Sequence, residues 1–191
     1  IKALSTGVNA GLRTKKSYGH ENKTLREIIN TIASKNGYKI IGDVANIRIG
    51  RKTQYRQSDL SFLRKLAGEY GYVFTIKDNN LIFDSVFDLE GDSSKFILDK
   101  TDLLSYSFKD KTLDTYKSVQ IQYYVKKENK IVKEEFTAEK LNETFSQKFK
   151  RETVDFNPGG NEVLQVRNTK VENQQQAIAM TKSMLQKKNS L

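Results

Sequence analysis

Apolar residues recur along this chain with two periods, and the change from one to the other organises it. From Leu25 the spacing is helical: Leu25, Ile28, Ile29, Ile32 and Ala33 fall on one face. Thr24-Leu25-Arg26-Glu27 in front of them reads as a capping box, in which the Thr24 hydroxyl accepts from the Glu27 N–H and the Glu27 carboxylate reaches back to Thr24. Gly37 ends this helix, because it takes the left-handed conformation without steric cost. Tyr38 to Ile41 predicts a short strand, and Val44 to Ile49 a second, with Ile47 and Ile49 on one face. Another helix starts at Ser58-Asp59. Ser58 is a good N-cap, and the Asp59 carboxylate suits the positive helix end. Leu60, Phe62, Leu63, Leu66, Ala67 and Tyr70 form its apolar face, and Gly71 ends it. Tyr72 to Ile76, a turn at Asp78-Asn79-Asn80 and Leu81 to Phe83 then predict a hairpin.

From about Lys95 the period becomes two. Phe96 to Leu98, Leu104 to Phe108 and Ser118 to Val125 read as strands. In the last of these Val119, Ile121, Tyr123 and Val125 face one side, and Ser118, Gln120, Gln122 and Tyr124 the other. Glu128-Asn129 joins it to Ile131 to Phe136 as a long hairpin. Phe145 and Phe149 stand in a polar stretch with no assigned element. Asn157-Pro158-Gly159-Gly160 is a loop signal. Val163 to Val166 is a final strand, and Asn173 to Gln176 caps a last helix striped by Ala177, Met180, Met184 and Leu185. The expected fold class is α+β: a helix/strand module, then mainly antiparallel β forming a partial barrel, then a C-terminal helix. The expected divisions are an extended entry segment at 1–23, an α/β module at 24–94 and an antiparallel region with its helix at 95–191.

The two early helices match each other. Ile28, Ile29, Ile32, Ala33, Gly37 and Tyr38 correspond to Phe62, Leu63, Leu66, Ala67, Gly71 and Tyr72, 34 positions on. Each unit is one helix followed by a strand, not a helix pair, so a helical solenoid is rejected. The simpler reading is two helices with the same glycine ending, packed on the same sheet.

Composition narrows the function. Only 37% of the 191 residues are apolar, against a usual ~45–50% on a count that also includes Gly, and the mean hydropathy is −0.65. A chain this polar tends to be thin, or to complete its core against copies or partners. Its 10 Phe and 9 Tyr residues argue against disorder. No apolar run approaches membrane-spanning length, and there is no apolar signal-peptide core. The chain opens with Ile1, which is expected of a fragment or a processed form. With no cysteine there are no disulfides, thiolate zinc sites or cysteine nucleophiles, and the single histidine excludes paired-histidine metal sites. The net charge of +10 points to an acidic partner, but the charges are dispersed, which argues against a nucleic-acid surface.

Candidate chemistry is sparse. His20 lies in the entry segment, a poor platform for catalysis, and reads as a packing or surface histidine. Glu134 and Glu135 alternate faces on a strand and diverge; Asp99 and Asp102 read as turn residues. Ser58 is a cap before it is a nucleophile, and Gly159-Gly160 lacks the residues of a phosphate loop. Tyr106, Tyr116, Tyr123 and Tyr124 stand among Lys and Gln as base-stacking aromatics would, but read more simply as strand formers. No catalytic set, metal site or cofactor is called for.

One ordered set of residues is more specific. The Thr24-Leu25 helix start, Ile32-Ala33 to Gly37, and Gln54-Tyr55-Arg56-Gln57-Ser58-Asp59-Leu60-Ser61-Phe62-Leu63-Arg64-Lys65-Leu66-Ala67 to Gly71 resemble the central module of the phage late control protein D family. These are baseplate hubs of contractile tails, related to type VI secretion spike proteins. The resemblance covers residues 12–84, and 100–190 by pattern only. It implies a non-enzymatic hub that forms homotrimers and joins the tail tube to the spike. It implies a first β-barrel portion preceding Ile1, and assembly in the bacterial cytoplasm followed by residence in the tail. Its signature residues Thr24, Glu27, Gly37, Ser58, Asp59, Phe62, Leu63, Leu66, Ala67 and Gly71 are then structural. The first helix also resembles peptidoglycan-binding LysM repeats, which leave the hairpin at 118–136 unexplained. A basic DNA-binding protein is a third alternative.

Overall fold

The computed structural model describes residues 10–93, 99–105, 107, 115–126, 128–150, 161–167 and 170–189. The expected strand at Phe96 to Leu98 and the loop at Asn157 to Gly160 lie outside them. The elements are α1 (Ala10–Arg13), β1 (Lys15–Thr24), α2 (Leu25–Lys35), β2 (Lys39–Ile41), β3 (Arg48–Ser58), α3 (Asp59–Tyr70), β4 (Tyr72–Lys77), β5 (Asn80–Ser85) and α4 (Val86–Gly91). After a 3-10 turn at Lys100–Asp102 come β6 (Ser118–Val125), β7 (Lys130–Thr137), α5 (Ala138–Phe149), β8 (Val163–Val166) and α6 (Gln174–Asn189). The class is α+β.

Both early helices form as their caps dictate. The Thr24 hydroxyl accepts from the Glu27 N–H at 3.2 Å, and the Glu27 carboxylate accepts from the Thr24 N–H at 2.7 Å. Ser58 accepts from the Ser61 N–H at 3.2 Å at the start of α3. Gly37 and Gly71 take φ of 73° and 79° at the two C-terminal ends. At Gly71 a Cβ would also come within 3.2 Å of Ser183 on α6. α2 packs against β2 and α3 against β4. Since β2 and β4 flank β5 in one three-stranded sheet, the matching helices do rest on the same sheet.

The sheets are open. β1 and β3 form an antiparallel ribbon; β2-β5-β4 and β7-β6-β8 are mixed three-stranded sheets, and none among the described residues closes into a barrel. β4 and β5 are joined through Asp78 and Asn79, both at positive φ (49° and 60°), as a two-residue hairpin turn of matching twist requires. β6 and β7 pair antiparallel from Ser118↔Thr137 to Val125↔Lys130, with Val119, Ile121 and Tyr123 buried.

Three expectations need correction. The strand at Val44 to Ile49 begins only at Arg48 and runs on to Ser58. Its polar stretch is sustained by backbone pairing with β1, from Lys15↔Ser58 to Thr24↔Arg48, with Gln54 as its one buried polar side chain. No strand forms at the described residues of Leu104 to Phe108, where Leu104 is fully exposed and no neighbouring strand is paired. The polar stretch around Phe145 is helix α5, capped by Thr137 and buried through Ala138, Leu141 and Phe145 at helical spacing. The final strand β8 forms where expected but runs parallel to β6, reached through α5, beside the longer antiparallel pairing of β6 with β7.

One core cluster joins Leu25, Ile28, Ile29 and Ile32 of α2 with Phe62, Leu63 and Leu66 of α3, Leu81 and Phe83 of β5, Ile121 and Tyr123 of β6, and Ala177 and Met180 of α6. A smaller one gathers Phe87, Val119, Leu141, Phe145 and Leu185. α6 therefore touches both. Leu66 is wholly buried. Leu66→Ala is expected to cost ~2–5 kcal/mol and Ser58→Ala ~0.5–2 kcal/mol in urea denaturation. Two neutral results would contradict this placement of α3.

Candidate functional site

The first residue of α3 is a buried acid. Asp59 is 4% exposed, and a carboxylate in that position must be met by donors on all sides. Three elements supply them. The Lys16 ammonium of β1 donates to Oδ2 at 2.6 Å, the Asn36 amide at the end of α2 donates to Oδ2 at 3.0 Å, and the Gln54 amide of β3 donates to Oδ1 at 2.9 Å. The two amides are themselves held: Asn36 also donates to the Ile32 carbonyl at 2.8 Å, and Gln54 to the Gln57 carbonyl at 2.8 Å. Burial by itself pushes the Asp59 carboxyl up; the hydrogen bonds from Lys16, Gln54 and Asn36 outweigh it and hold the group below its ordinary value.

His20 of β1 lies beside this cluster, 2% exposed. Its ring stacks on Phe62 at 5.4 Å and meets the Tyr18 ring edge-on at 4.9 Å. Neither ring nitrogen has a hydrogen-bond partner within the protein. Burial lowers its pKa first, and the positive charges of Lys23 and Lys35 lower it further, against an opposing pull from Asp59. A cavity of about 130 Å³ opens here, lined by His20 and Asp59 together with Lys16, Tyr18, Ile32, Lys35 and Gln54. The Lys35 ammonium stands 4.6 Å from the centre of the Tyr18 ring.

The residues singled out from the sequence are spread over both helices. Asp59 and Phe62 meet His20, while Ser58 and Gly71 serve only the two ends of α3. Leu63, Leu66 and Ala67 lie on the buried face of α3. Thr24 and Glu27 cap the far end of α2, while Gly37 follows its other end and its carbonyl accepts from the Asn79 amide at 3.0 Å. His20 is a packing histidine, but its burial beside Asp59 was not visible in the sequence. Nor was the Lys16 pairing, which spans 43 residues.

Elsewhere the acidic pairs do not converge. Glu135 accepts from the Ser118 hydroxyl, and Glu134 alternates to the opposite side of β7. The Asp102 carboxylate accepts from the Asp99 N–H at 3.3 Å within a turn. Of the four tyrosines, Tyr123 and Tyr124 lie on β6, the first buried and the second half exposed; Tyr116 precedes that strand and is partly buried, and Tyr106 lies outside the described residues. Among the described residues no group of three His, Asp or Glu could hold a metal, and no helix is long and apolar enough to cross a membrane.

No family model and no curated protein matches the chain. Solved structures do. The chain is similar to the 43 kDa tail protein of prophage MuSo2 from Shewanella oneidensis, with a TM-score of 0.57 and 15% identity, covering 94% of this chain and 52% of that one. It is also similar to prophage tail protein gp18 from Listeria monocytogenes EGD-e, with a TM-score of 0.46 and 16% identity, covering 81% of this chain and 45% of that one. The chain thus spans about half the length of these structures. At such identities the likeness is one of fold.

Both buried ionisable groups weaken the fold as pH falls. Unfolded His20 takes a proton near the ordinary value of about 6.5, whereas the folded chain resists it, so stability declines as pH drops below that value. The Asp59 contribution persists to lower pH and is lost through its own depressed pKa. In NMR the Cε1–H signal of the single histidine is expected to titrate below pH 6.5; a midpoint at or above it would contradict the burial. Lys16→Met leaves Asp59 buried with two amide donors. It is expected to cost ~1–3 kcal/mol at pH 7 and less at acid pH, read from urea melts.

Proposed function

We propose that the chain is a structural component of a phage tail or phage-like contractile injection system, and within it the baseplate hub that joins tail tube to spike. The observation that carries the reading is the fold likeness to the MuSo2 tail protein over 94% of this chain. The order of residues from Gln54 to Gly71, which resembles the late control protein D family, supports the finer assignment. In this role the protein works by assembling and not by turnover. It forms a homotrimer, meets tube and spike proteins, and resides in the tail after assembly in the cytoplasm. The net charge of +10 favours docking on acidic partner surfaces and speeds their encounter.

Light scattering of the protein as its gene encodes it, alone and mixed with its cognate tube and spike proteins, tests the proposal. A trimer that shifts to larger species with either partner is expected. A strict monomer that binds neither would refute the hub assignment, and co-sedimentation with purified cell-wall sacculi would favour a peptidoglycan-binding role in its place.

A further inference from the structure

We propose that the cavity between β1, α2 and α3 is a carboxylate-binding site, with His20 at its floor and Lys35 at its rim as the recognising groups. The case starts from an unmet demand. Buried polar atoms are almost always partnered, yet both nitrogens of His20 are bare in a side chain 98% removed from solvent, and that side chain lines a cavity of about 130 Å³. A space of this size holds a few waters, at ~30 Å³ each in the liquid, or one carboxylate on a short aliphatic stem. Ile32 and Tyr18 supply apolar wall for the stem.

Charge selects the ligand. The charged groups around His20 are Lys16 and Lys23 of β1, Lys35 of α2, its cross-strand neighbour Lys52 of β3, and Asp59 of α3. Lys52 is paired with Glu69, and Lys16 with Asp59. Asp59 already accepts from three donors, so it has little left to offer a cation. Lys35 has no carboxylate partner among the described residues and stands over the face of Tyr18. A neutral imidazole offers one N–H, and an ammonium offers three. The open donors therefore outnumber the open acceptors, and an anion answers them; the second imidazole nitrogen becomes a donor as well when the bound carboxylate favours the imidazolium. A singly charged carboxylate fits better than a phosphate dianion, which Asp59 on the same cavity would repel.

The carboxylate comes either from an acidic side chain of a partner protein or from a free small acid. The site stands on this chain alone and is independent of the tail assignment, so its test uses the chain without partners. The probe is sodium acetate, titrated against sodium chloride at equal ionic strength while the His20 Cε1–H and Nε2 signals are followed by NMR. A saturable shift with acetate and not with chloride is expected, together with a rise in the His20 titration midpoint, because a bound carboxylate favours the imidazolium. Lys35 is exposed, so Lys35→Gln keeps the fold and is expected to weaken acetate binding about tenfold. Equal responses to acetate and chloride, or an unchanged acetate response in Lys35→Gln, would overturn the proposal. A blocked Gly-Glu-Gly peptide separates the sources. Binding tighter than acetate assigns the site to a partner's acidic side chain; binding equal or weaker assigns it to a free small carboxylate.

Discussion

The arrangement of the N-terminal half depends on keeping one carboxylate ionised where little solvent reaches it. Asp59 opens α3, and helix starts favour acids because their free N–H groups carry partial positive charge. That local preference explains an acid here but not a buried one. Burial is tolerated because Lys16, Asn36 and Gln54 arrive from three separate elements. The donors are fixed in turn: Lys16 and Gln54 by the pairing of β1 with β3, and Asn36 by its bond to the Ile32 carbonyl. The acid thus makes the relative placement of ribbon, α2 and α3 a single condition. An apolar residue in its place would pack, but it would not require those three elements to meet in one register.

The same ribbon is gripped from the other end of the chain. Asn173 and Gln176, at the start of α6, both donate to the Arg48 carbonyl at 2.9 and 2.7 Å, and the Glu172 carboxylate accepts from the Gly50 N–H at 2.6 Å. Asn173 also caps α6 by accepting from the Gln176 N–H at 2.9 Å. One short segment therefore satisfies a helix start and the first residues of β3 together. α6 then runs across α3 and sends Ala177 and Met180 into the larger core and Leu185 into the smaller. This is how a chain with few apolar residues supports two clusters: one helix serves both. It also explains the modest stripe seen in its sequence, since Gln176, Thr181, Ser183 and Gln186 are buried alongside the apolar residues.

What was legible in the sequence was local. Thr24 and Glu27, Ser58, Gly37 and Gly71 announce helix ends because each acts within four residues of itself, and two-faced β6 announces its buried side by alternation. What was illegible depended on partners far along the chain. β3 past Ile49 is polar and reads as loop unless β1 is known to lie beside it. The Val163 to Val166 strand shows no sign of being parallel, since direction is set by the return through α5. That helix was missed because Leu141, Phe145 and Phe149 are diluted by Lys, Glu and Asn on its solvent side. At the site, Asp59 was noticed for its helix end and Gln54 for its place in an ordered motif. The third donor, Asn36, stands next to Gly37 at the helix end and carries no sequence sign of reaching α3. His20 looked isolated for the same reason: its neighbours Phe62 and Asp59 come from another element.

Among the described residues the outer strands leave both three-stranded sheets open. In both three-stranded sheets the two edge strands each carry an exposed apolar residue: Ile41 on β2, Val73 on β4, Ile131 on β7 and Val163 on β8. Unpaired edges invite further strands, and natural proteins guard them with charge, above all lysine. Lys39 on β2, Lys77 on β4, and Lys130 and Lys133 on β7 supply that guard. β8 differs, with Val163-Leu164-Gln165-Val166 carrying no charge at all. Three edges are thus built to resist indiscriminate pairing, while the fourth has no such protection within its own length. Among the edges of the described residues, β8 is therefore the one at which adding a strand desolvates no charge of its own.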